Sequence, residues 1–284
     1  MKINPAWLKK VAALYDGKRH DFNWRLAADG IIHHHNGLVY DRLSFISEVK
    51  KGGAAAERLI HASETALSRL GFGYLGNPKP GAALLDAGCG RGGSSLLLAA
   101  KYPGLAIRGV TLSAYQVSAA RAAAKKRGVS ARVKFSRASM LDLPFGDNSF
   151  DLVWACESTE HVPDLRGFFS EMARTARNAA RLVIIAWVRN ASDKPALSYV
   201  ERADMAYVTK MHTEKEYLLG GVKAGWKLRA KIDLTRPAAA YWAARAALKS
   251  GSGTESFMAP AFASRALLYR LYSYDLVKVY GGRG

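Results

Sequence analysis

The sequence predicts an α/β fold, a mostly parallel sheet covered by helices on both faces, and three observations point to it. From residue 82 onward, short apolar runs alternate with segments of helical periodicity. The glycine-rich stretch Gly88-Cys89-Gly90-Arg91-Gly92-Gly93 joins one apolar run directly to a helical segment. The chain has 284 residues, 49% hydrophobic and 10% aromatic, enough for one large domain with an insertion and too short for two full ones.

Each element has its own signal. Trp7, Val11, Leu14 and Tyr15 fall at helical spacing before Asp16-Gly17-Lys18 and predict a short amphipathic helix. A polar, aromatic stretch runs from His20 to Tyr40. After Gly52-Gly53, one helix face is formed by Leu59, Ile60, Ser63, Leu67 and Leu70, and Gly71 and Gly73 are expected to close that helix. Asn77-Pro78-Lys79-Pro80-Gly81 reads as a linker into the α/β region. Strands are expected near 82–86, 106–111, 132–136, 150–156 and 181–188. Ser113 can cap a helix running to Arg127, and Asp164 one whose Leu165, Phe168, Phe169 and Met172 share a face. Thr213 and Glu216 make a capping box, so 191–225 reads as a helical insertion. Lys227–Leu234 and Tyr272–Tyr280 read as strands completing the sheet, separated by a Ser250-Gly251-Ser252-Gly253 loop.

Composition narrows the classes of function. Lys and Arg number 42 against 23 Asp and Glu, a formal charge of +19 that favours anionic partners. The cations are dispersed and accompany no nucleic-acid-binding module, so a nucleic acid partner is not expected. Two cysteines, Cys89 and Cys156, support neither a disulfide framework nor a Cys-based zinc site, and suit a reducing compartment. The N-terminus lacks a signal-peptide pattern and no run of about 20 apolar residues occurs, so a cytoplasmic location is expected.

Gly88, Gly90 and Gly93 satisfy the dinucleotide G-x-G-x-x-G spacing, which is weak evidence alone. A dinucleotide site also needs an acid at the end of the second strand, and Ile107-Arg108-Gly109-Val110-Thr111-Leu112-Ser113 supplies none. Asp86, two residues before the first glycine, is instead placed to receive the ammonium of an amino-acid-bearing ligand. The Asp-x-Gly-Cys-Gly-x-Gly pattern resembles motif I of the class I S-adenosylmethionine-dependent methyltransferases. That resemblance implies a Rossmann-like sheet with an antiparallel last strand. It also implies a cofactor held by Asp86, Gly88, Cys89, Gly90, Thr111 and Leu112, with Gln116 toward the ribose. The segment Ser139-Met140-Leu141-Asp142-Leu143-Pro144-Phe145, followed by Asn148-Ser149-Phe150-Asp151, resembles the loop and fourth strand of that family, which implies Ser139 and Met140 beside the adenine.

Flanking segments resemble a narrower group, the geranyl diphosphate C-methyltransferases. Arg25–Gly37, with its His33-His34-His35, resembles their N-terminal lid, and Cys156-Glu157-Ser158-Thr159 resembles their Asn-Glu-Ser-Thr, with Cys156 in place of Asn and Glu160-His161 in place of less polar residues. Met211–Leu218, Ile232–Thr235 and Tyr241-Trp242 extend the likeness over about residues 14 to 280. It implies four segments: a helical lid over 1–80, the cofactor core over 81–190, a helical substrate-binding insertion over 191–225 and C-terminal strands over 226–284. The implied reaction is methylation of an alkene carbon of a prenyl diphosphate such as geranyl or farnesyl diphosphate, in terpenoid secondary metabolism.

Methyl transfer to an alkene leaves a carbocation that must be kept from water and then lose a proton, which calls for aromatic faces and one carboxylate base. The aromatic candidates are Phe150, Trp154, Trp187, Tyr207, Trp226, Tyr241, Trp242 and Tyr272. Glu157, after the fourth strand at the carboxyl edge of the sheet, is the expected base. Three consecutive histidines cannot all face one ion, so no protein-built metal site is expected. His34 is assigned to the cofactor; His33, His35, His161, Trp154, Trp187 and Tyr207 are assigned to the substrate, with Asn23 and Arg25 toward its phosphates. Mg²⁺ would arrive bound to the diphosphate. An attached prenyl chain, a sterol or a lipid acyl alkene remains the alternative substrate, and peripheral membrane contact and homo-oligomerisation stay open.

Overall fold

The computed structural model describes residues 4–191, 193–248 and 251–278. Four helices precede the sheet: α1 (Pro5–Gly17), α2 (Phe22–Leu26), α3 (Arg42–Lys50) and α4 (Gly53–Leu75). Asn4 caps α1 by accepting from the N–H groups of Ala6 and Trp7, with Pro5 preset at the first helical position. The α/β region follows as β1 (Ala83–Ala87), α5 (Gly93–Lys101), β2 (Ala106–Thr111), α6 (Ala114–Lys126), β3 (Val133–Arg137), β4 (Phe150–Cys156), α7 (Leu165–Thr175) and β5 (Ala176–Arg189). Then come α8 (Lys194–Tyr207), the short β6 (His212–Thr213), α9 (Glu214–Lys223), β7 (Trp226–Asp233), α10 (Thr235–Ala246), α11 (Glu255–Ala263) and β8 (Leu267–Leu276). The expected caps are present: Ser113 accepts from Gln116 N, Asp164 from Gly167 N, and Thr213 and Glu216 close a full capping box.

The strand order is β3-β2-β1-β4-β5-β8-β7, with β6 beside β5. β8 runs antiparallel to both β5 and β7, and the remaining pairs are parallel. Strand order reverses between β1 and β4, where Asp86 lies in register with Trp154. An open α/β sheet binds ligands at the carboxyl ends of its strands at such a reversal. Side chains of the strands alternate between two cores. Leu84, Trp154, Val183 and Ile185 face the one built with α4 and α10, whereas Leu85, Val153, Ala155 and Ile184 face the one built with α7 and α9.

Three expectations are corrected. Gly71 and Gly73 do not close α4, which continues to Leu75 and ends at Gly76 in a positive-φ conformation. Gly71 is there for proximity: a Cβ on it would come 2.5 Å from Trp154 Cη2, so its absence lets α4 lie on the indole. The last strand starts five residues before Tyr272, at Leu267, and ends at Leu276, while Tyr280 lies outside the described residues. The segment between β7 and β8 holds two helices, α10 and α11, and the expected loop at 250–253 is the connection between them, with Ser250 outside the described residues. α8 packs on α11, whereas α9 packs on α7 and β7 along the sheet.

Candidate active site

The first part of the site is a cavity over the carboxyl ends of β1 and β2. The β1–α5 turn holds Gly88, Gly90 and Gly92 at φ +87, +52 and +84, conformations that side-chain-bearing residues rarely adopt. Gly88 is also sterically fixed, because a Cβ there would sit 2.3 Å from the Cβ of Ser158, whose hydroxyl donates to the Ala87 carbonyl at 2.7 Å. Asp86 is buried, receives a 2.5 Å hydrogen bond from Ser95 Oγ, and has its pKa pushed up to about 7 by burial. A buried carboxylate with a hydroxyl for company fits an incoming ammonium group, which would hold it ionised. Thr111 Oγ1 donates to Gln116 Oε1 at 2.7 Å, placing the amide on the cavity wall. Asp86, Gly88, Cys89, Gly90, Thr111, Leu112, Gln116, Ser139, Met140 and His34, the residues expected around the cofactor, all border this cavity.

The second part is a chamber of about 470 Å³ between the N-terminal segment, β4, β5, α8 and α10. That volume lies within the roughly 300–1,000 Å³ usual for small-molecule sites. Asn23, Arg25, His35, His161, Trp187 and Tyr207 line it, as do Tyr241 and Trp242. Trp187 and Tyr207 meet edge-to-face with ring centroids 5.1 Å apart. His33 and Trp154 are placed differently: both border the first cavity, His33 bonded to Thr65 at 3.0 Å and Trp154 packed on Phe72. Phe150, Trp226 and Tyr272 belong to the core under α7 and α9, away from the chamber.

Tyr15, His34, His35, Glu157 and His161 border both cavities, so the two spaces meet at these side chains. Glu157 leaves β4 with a left-handed φ of 45. Its Oε1 accepts from Asn36 N at 2.7 Å and from Tyr269 OH at 2.6 Å. Burial, with the Glu160 carboxylate second, raises its pKa well above the usual range, and the two donors oppose the rise. Glu160 accepts from Trp187 N at 2.7 Å, and burial brings its pKa to about 7.

The histidines at the junction are neutral. His161 Nδ1 donates to the Val208 carbonyl at 3.1 Å, so Nε2 accepts from Tyr15 OH at 2.8 Å, and burial lowers the pKa to about 4. His35 Nδ1 donates to the Asn36 carbonyl while Ser68 Oγ donates to Nε2, each at 2.9 Å, and its pKa too falls to about 4 through burial. His34 Nε2 accepts from Arg91 Nε at 2.8 Å, which puts the ring proton on Nδ1; the Asn23 side-chain nitrogen lies 3.2 Å from that Nδ1, and the two bond with the amide turned so that its oxygen accepts.

Residues 85–184 match the methyltransferase domain family. Over 273 residues the chain is 31% identical to a geranyl diphosphate 2-C-methyltransferase of Saccharopolyspora erythraea, covering 94% of each chain. The chain belongs to the geranyl diphosphate C-methyltransferase family. The crystal structure of the Streptomyces coelicolor A3(2) geranyl diphosphate C-methyltransferase, in complex with Mg²⁺, geranyl-S-thiolodiphosphate and S-adenosyl-L-homocysteine, is similar with a TM-score of 0.89 and 26% identity, covering 98% of this chain and 100% of that one. A geranyl diphosphate methyltransferase in complex with geranyl diphosphate and sinefungin gives a TM-score of 0.87 at 27% identity, covering 95% and 99%. A probable tocopherol O-methyltransferase of rice reaches 48% identity, but over 105 residues, 37% of this chain.

As a member of the geranyl diphosphate C-methyltransferase family, the protein is an S-adenosylmethionine-dependent C-methyltransferase. The buried Asp86 carboxylate and the open backbone at Gly90, where a Cβ would already reach within 3.3 Å of His34, fit that cofactor. Among the described residues, no three His, Cys, Asp or Glu side chains are grouped to hold a metal ion. Several residues at the site were not picked out from sequence: Tyr15, Lys18, Asn36, Arg91, Arg245 and Tyr269. Tyr269 lies ahead of the strand expected from Tyr272, and Arg91 stands between two glycines of the motif, where its side chain carries no signal of its own. Glu160, also at the site, carried a signal, as a polar departure with His161 beside Glu157.

Proposed function

We propose that this enzyme moves the methyl group of S-adenosylmethionine onto an alkene carbon of a prenyl diphosphate of the geranyl type, with Glu157 removing the proton. The observation that carries this reading is the meeting of an amino-acid-receiving cavity with an aromatic, cation-bearing chamber at one buried carboxylate.

When bound, the cofactor supplies an electrophilic methyl on a sulfonium. Asp86 anchors the ammonium end, and the turn from Gly88 to Gly90 lets the backbone approach closely. The new C–CH₃ bond forms as the S–CH₃ bond breaks, and the alkene electrons leave positive charge on the neighbouring carbon. Trp187 offers a ring to that charge, a contact worth roughly 2 kcal/mol or more once water is excluded; Tyr207, Tyr241 and Trp242 line the same chamber with Lys18 and Arg245 already over their rings. Neutral His34, His35 and His161 add no competing positive charge beside it. Glu157 then takes the proton from the methylated carbon and restores the double bond. Burial alone favours its protonated form, but an adjacent sulfonium and cation favour the carboxylate needed for this step.

The cations on the chamber walls suit a diphosphate. Lys18 Nζ stands 5.0 Å from the ring centres of both Tyr15 and Tyr207, and burial lowers its pKa, a cost that a phosphate would offset. Arg245, Asn23, Arg25 and His20 lie on the same walls. Mg²⁺ would be held mainly by phosphate oxygens and water. Both cysteines are free thiols, which suits a cytoplasmic setting, and no helix among the described residues is long and apolar enough to cross a membrane.

The test is incubation with methyl-labelled cofactor and, separately, geranyl diphosphate, farnesyl diphosphate, geraniol, a sterol, tocopherol and phospholipid, with and without Mg²⁺, followed by mass spectrometry. Label bound to carbon of a prenyl diphosphate is expected. Label on geraniol or a sterol and on neither diphosphate contradicts the diphosphate assignment; label on a phenol oxygen contradicts C-methylation of an alkene.

A further inference from the structure

One guanidinium joins the cofactor turn to the wall of the substrate chamber. Arg91 lies between Gly90 and Gly92, with its side chain 1% exposed. Nε donates to His34 Nε2 at 2.8 Å, Nη1 to the Arg19 carbonyl at 3.0 Å, and Nη2 to Asp21 Oδ1 at 2.5 Å. All three acceptors belong to the N-terminal segment. Asp21 is in turn the cap of α2, accepting from Trp24 N at 2.9 Å, and α2 presents Phe22, Asn23, Trp24 and Arg25 to the chamber. His34 stands over Gly90 on one side and meets Asn23 on the other. The backbone that would touch the cofactor and the wall that would touch the prenyl diphosphate are therefore linked through one planar, permanently charged group that bonds through all three of its nitrogens.

We propose that Arg91 is a positioning residue through which cofactor occupancy sets the substrate chamber. The proposal rests on reading the two cavities as cofactor and prenyl diphosphate sites. A ligand seated on Gly88 to Gly90 restrains the turn. The restrained turn fixes the guanidinium, and the guanidinium fixes His34, Arg19 and Asp21, and with them α2. The two ligands then strengthen each other's binding without touching Arg91, and linkage makes the effect equal in both directions. A merely structural Arg91 would lower stability when replaced and leave this reciprocity intact.

Titration calorimetry on the full chain separates the two. S-adenosylhomocysteine is titrated with and without geranyl diphosphate and Mg²⁺, and the ratio of the two dissociation constants is the coupling factor. The wild type is expected to give a factor well above one. Arg91→Gln is expected to reduce it about tenfold, the order of one lost charge-assisted hydrogen bond, or to unity if it starts smaller. S-adenosylhomocysteine affinity alone should change far less, and KM for geranyl diphosphate should rise more than kcat falls. Asp21→Asn leaves the bonds of Arg91 to His34 and Arg19 in place and should move the factor in the same direction by less, which keeps the test decisive if Arg91→Gln folds poorly. A factor of one in the wild type, or an unchanged factor in the variants, overturns the proposal. Failure of the wild type to bind S-adenosylhomocysteine or to methylate geranyl diphosphate strikes the functional reading instead, whereas normal turnover with coupling indifferent to both substitutions strikes the role of Arg91 alone.

Discussion

The phenol of Tyr269 donates to Glu157 Oε1 at 2.6 Å, and the same oxygen takes the Asn36 N–H at 2.7 Å. A strand of the sheet and the N-terminal segment thus hold one carboxylate between them. The Tyr269 bond favours the ionised form of a group that burial would otherwise keep protonated. In Tyr269→Phe the pKa of Glu157 rises further, so the acid limb of the kcat–pH profile moves to higher pH. At neutral pH the rate falls about tenfold or more, the worth of a hydrogen bond to a charged group. Binding of S-adenosylhomocysteine is unchanged, since Tyr269 does not border the cofactor cavity.

Asp86 sets the pH dependence of cofactor binding. Its cofactor-free pKa of about 7 means the carboxylate exists above that pH and is protonated below it. An ammonium binds the ionised form, so below about pH 7 binding must expel a proton and affinity falls toward tenfold per pH unit. Calorimetry of S-adenosylhomocysteine between about pH 5.5 and 8, a span set on either side of that pKa, is expected to show this loss on the acid side. Asp86→Asn binds more weakly and flattens that profile.

Trp187 and Tyr207 close one wall of the chamber at a centroid distance of 5.1 Å. Trp187→Ala removes a ring face and admits water. We expect turnover to fall by roughly 30-fold, the equivalent of about 2 kcal/mol of cation–π contact, and a hydrated, methylated alcohol to appear beside the alkene product in mass spectra. A slower reaction with no hydrated product would mean that Trp187 positions substrate without shielding a cation.

Two glycines in α4 separate close packing from helix propensity. Gly71→Ala would force a Cβ to 2.5 Å from Trp154 Cη2, and overpacking of this kind costs about 1–3 kcal/mol. A Cβ added to Gly73 would meet no atom within 4 Å, so Gly73→Ala is expected to be neutral or to stabilise by up to about 1 kcal/mol. Thermal melts of the two variants should therefore shift in opposite directions or differ clearly in size.

The sheet and the cofactor turn were legible because their signals are local. Asp86, Gly88, Gly90 and Gly93 lie within one stretch, and β2 and β4 run over the residues expected. Glycine was a poor stop signal in α4 because Gly71 serves contact with Trp154, a residue 83 positions away in sequence. α10 escaped notice because Pro237, Ala238, Ala240, Tyr241, Trp242, Ala244 and Arg245 are buried around most of its circumference, leaving no polar face to mark a period. The partners of the site residues were hidden for a related reason. Tyr15 with His161, Arg91 with Asp21 and Glu157 with Tyr269 meet only when the N-terminal segment folds over the sheet or distant strands come together, and nothing in their spacing announces it.

The proposed chemistry turns on Glu157, where the two cavities join. The most direct measurement is single-turnover methyl transfer by Glu157→Gln, with labelled S-adenosylmethionine, geranyl diphosphate and Mg²⁺, alongside calorimetry of S-adenosylhomocysteine. The amide keeps the shape of the side chain but cannot act as the base, so cofactor affinity close to wild type and loss of methylated prenyl diphosphate are predicted. Methylated product formed by that variant at the wild-type rate would contradict the role of Glu157 as the base.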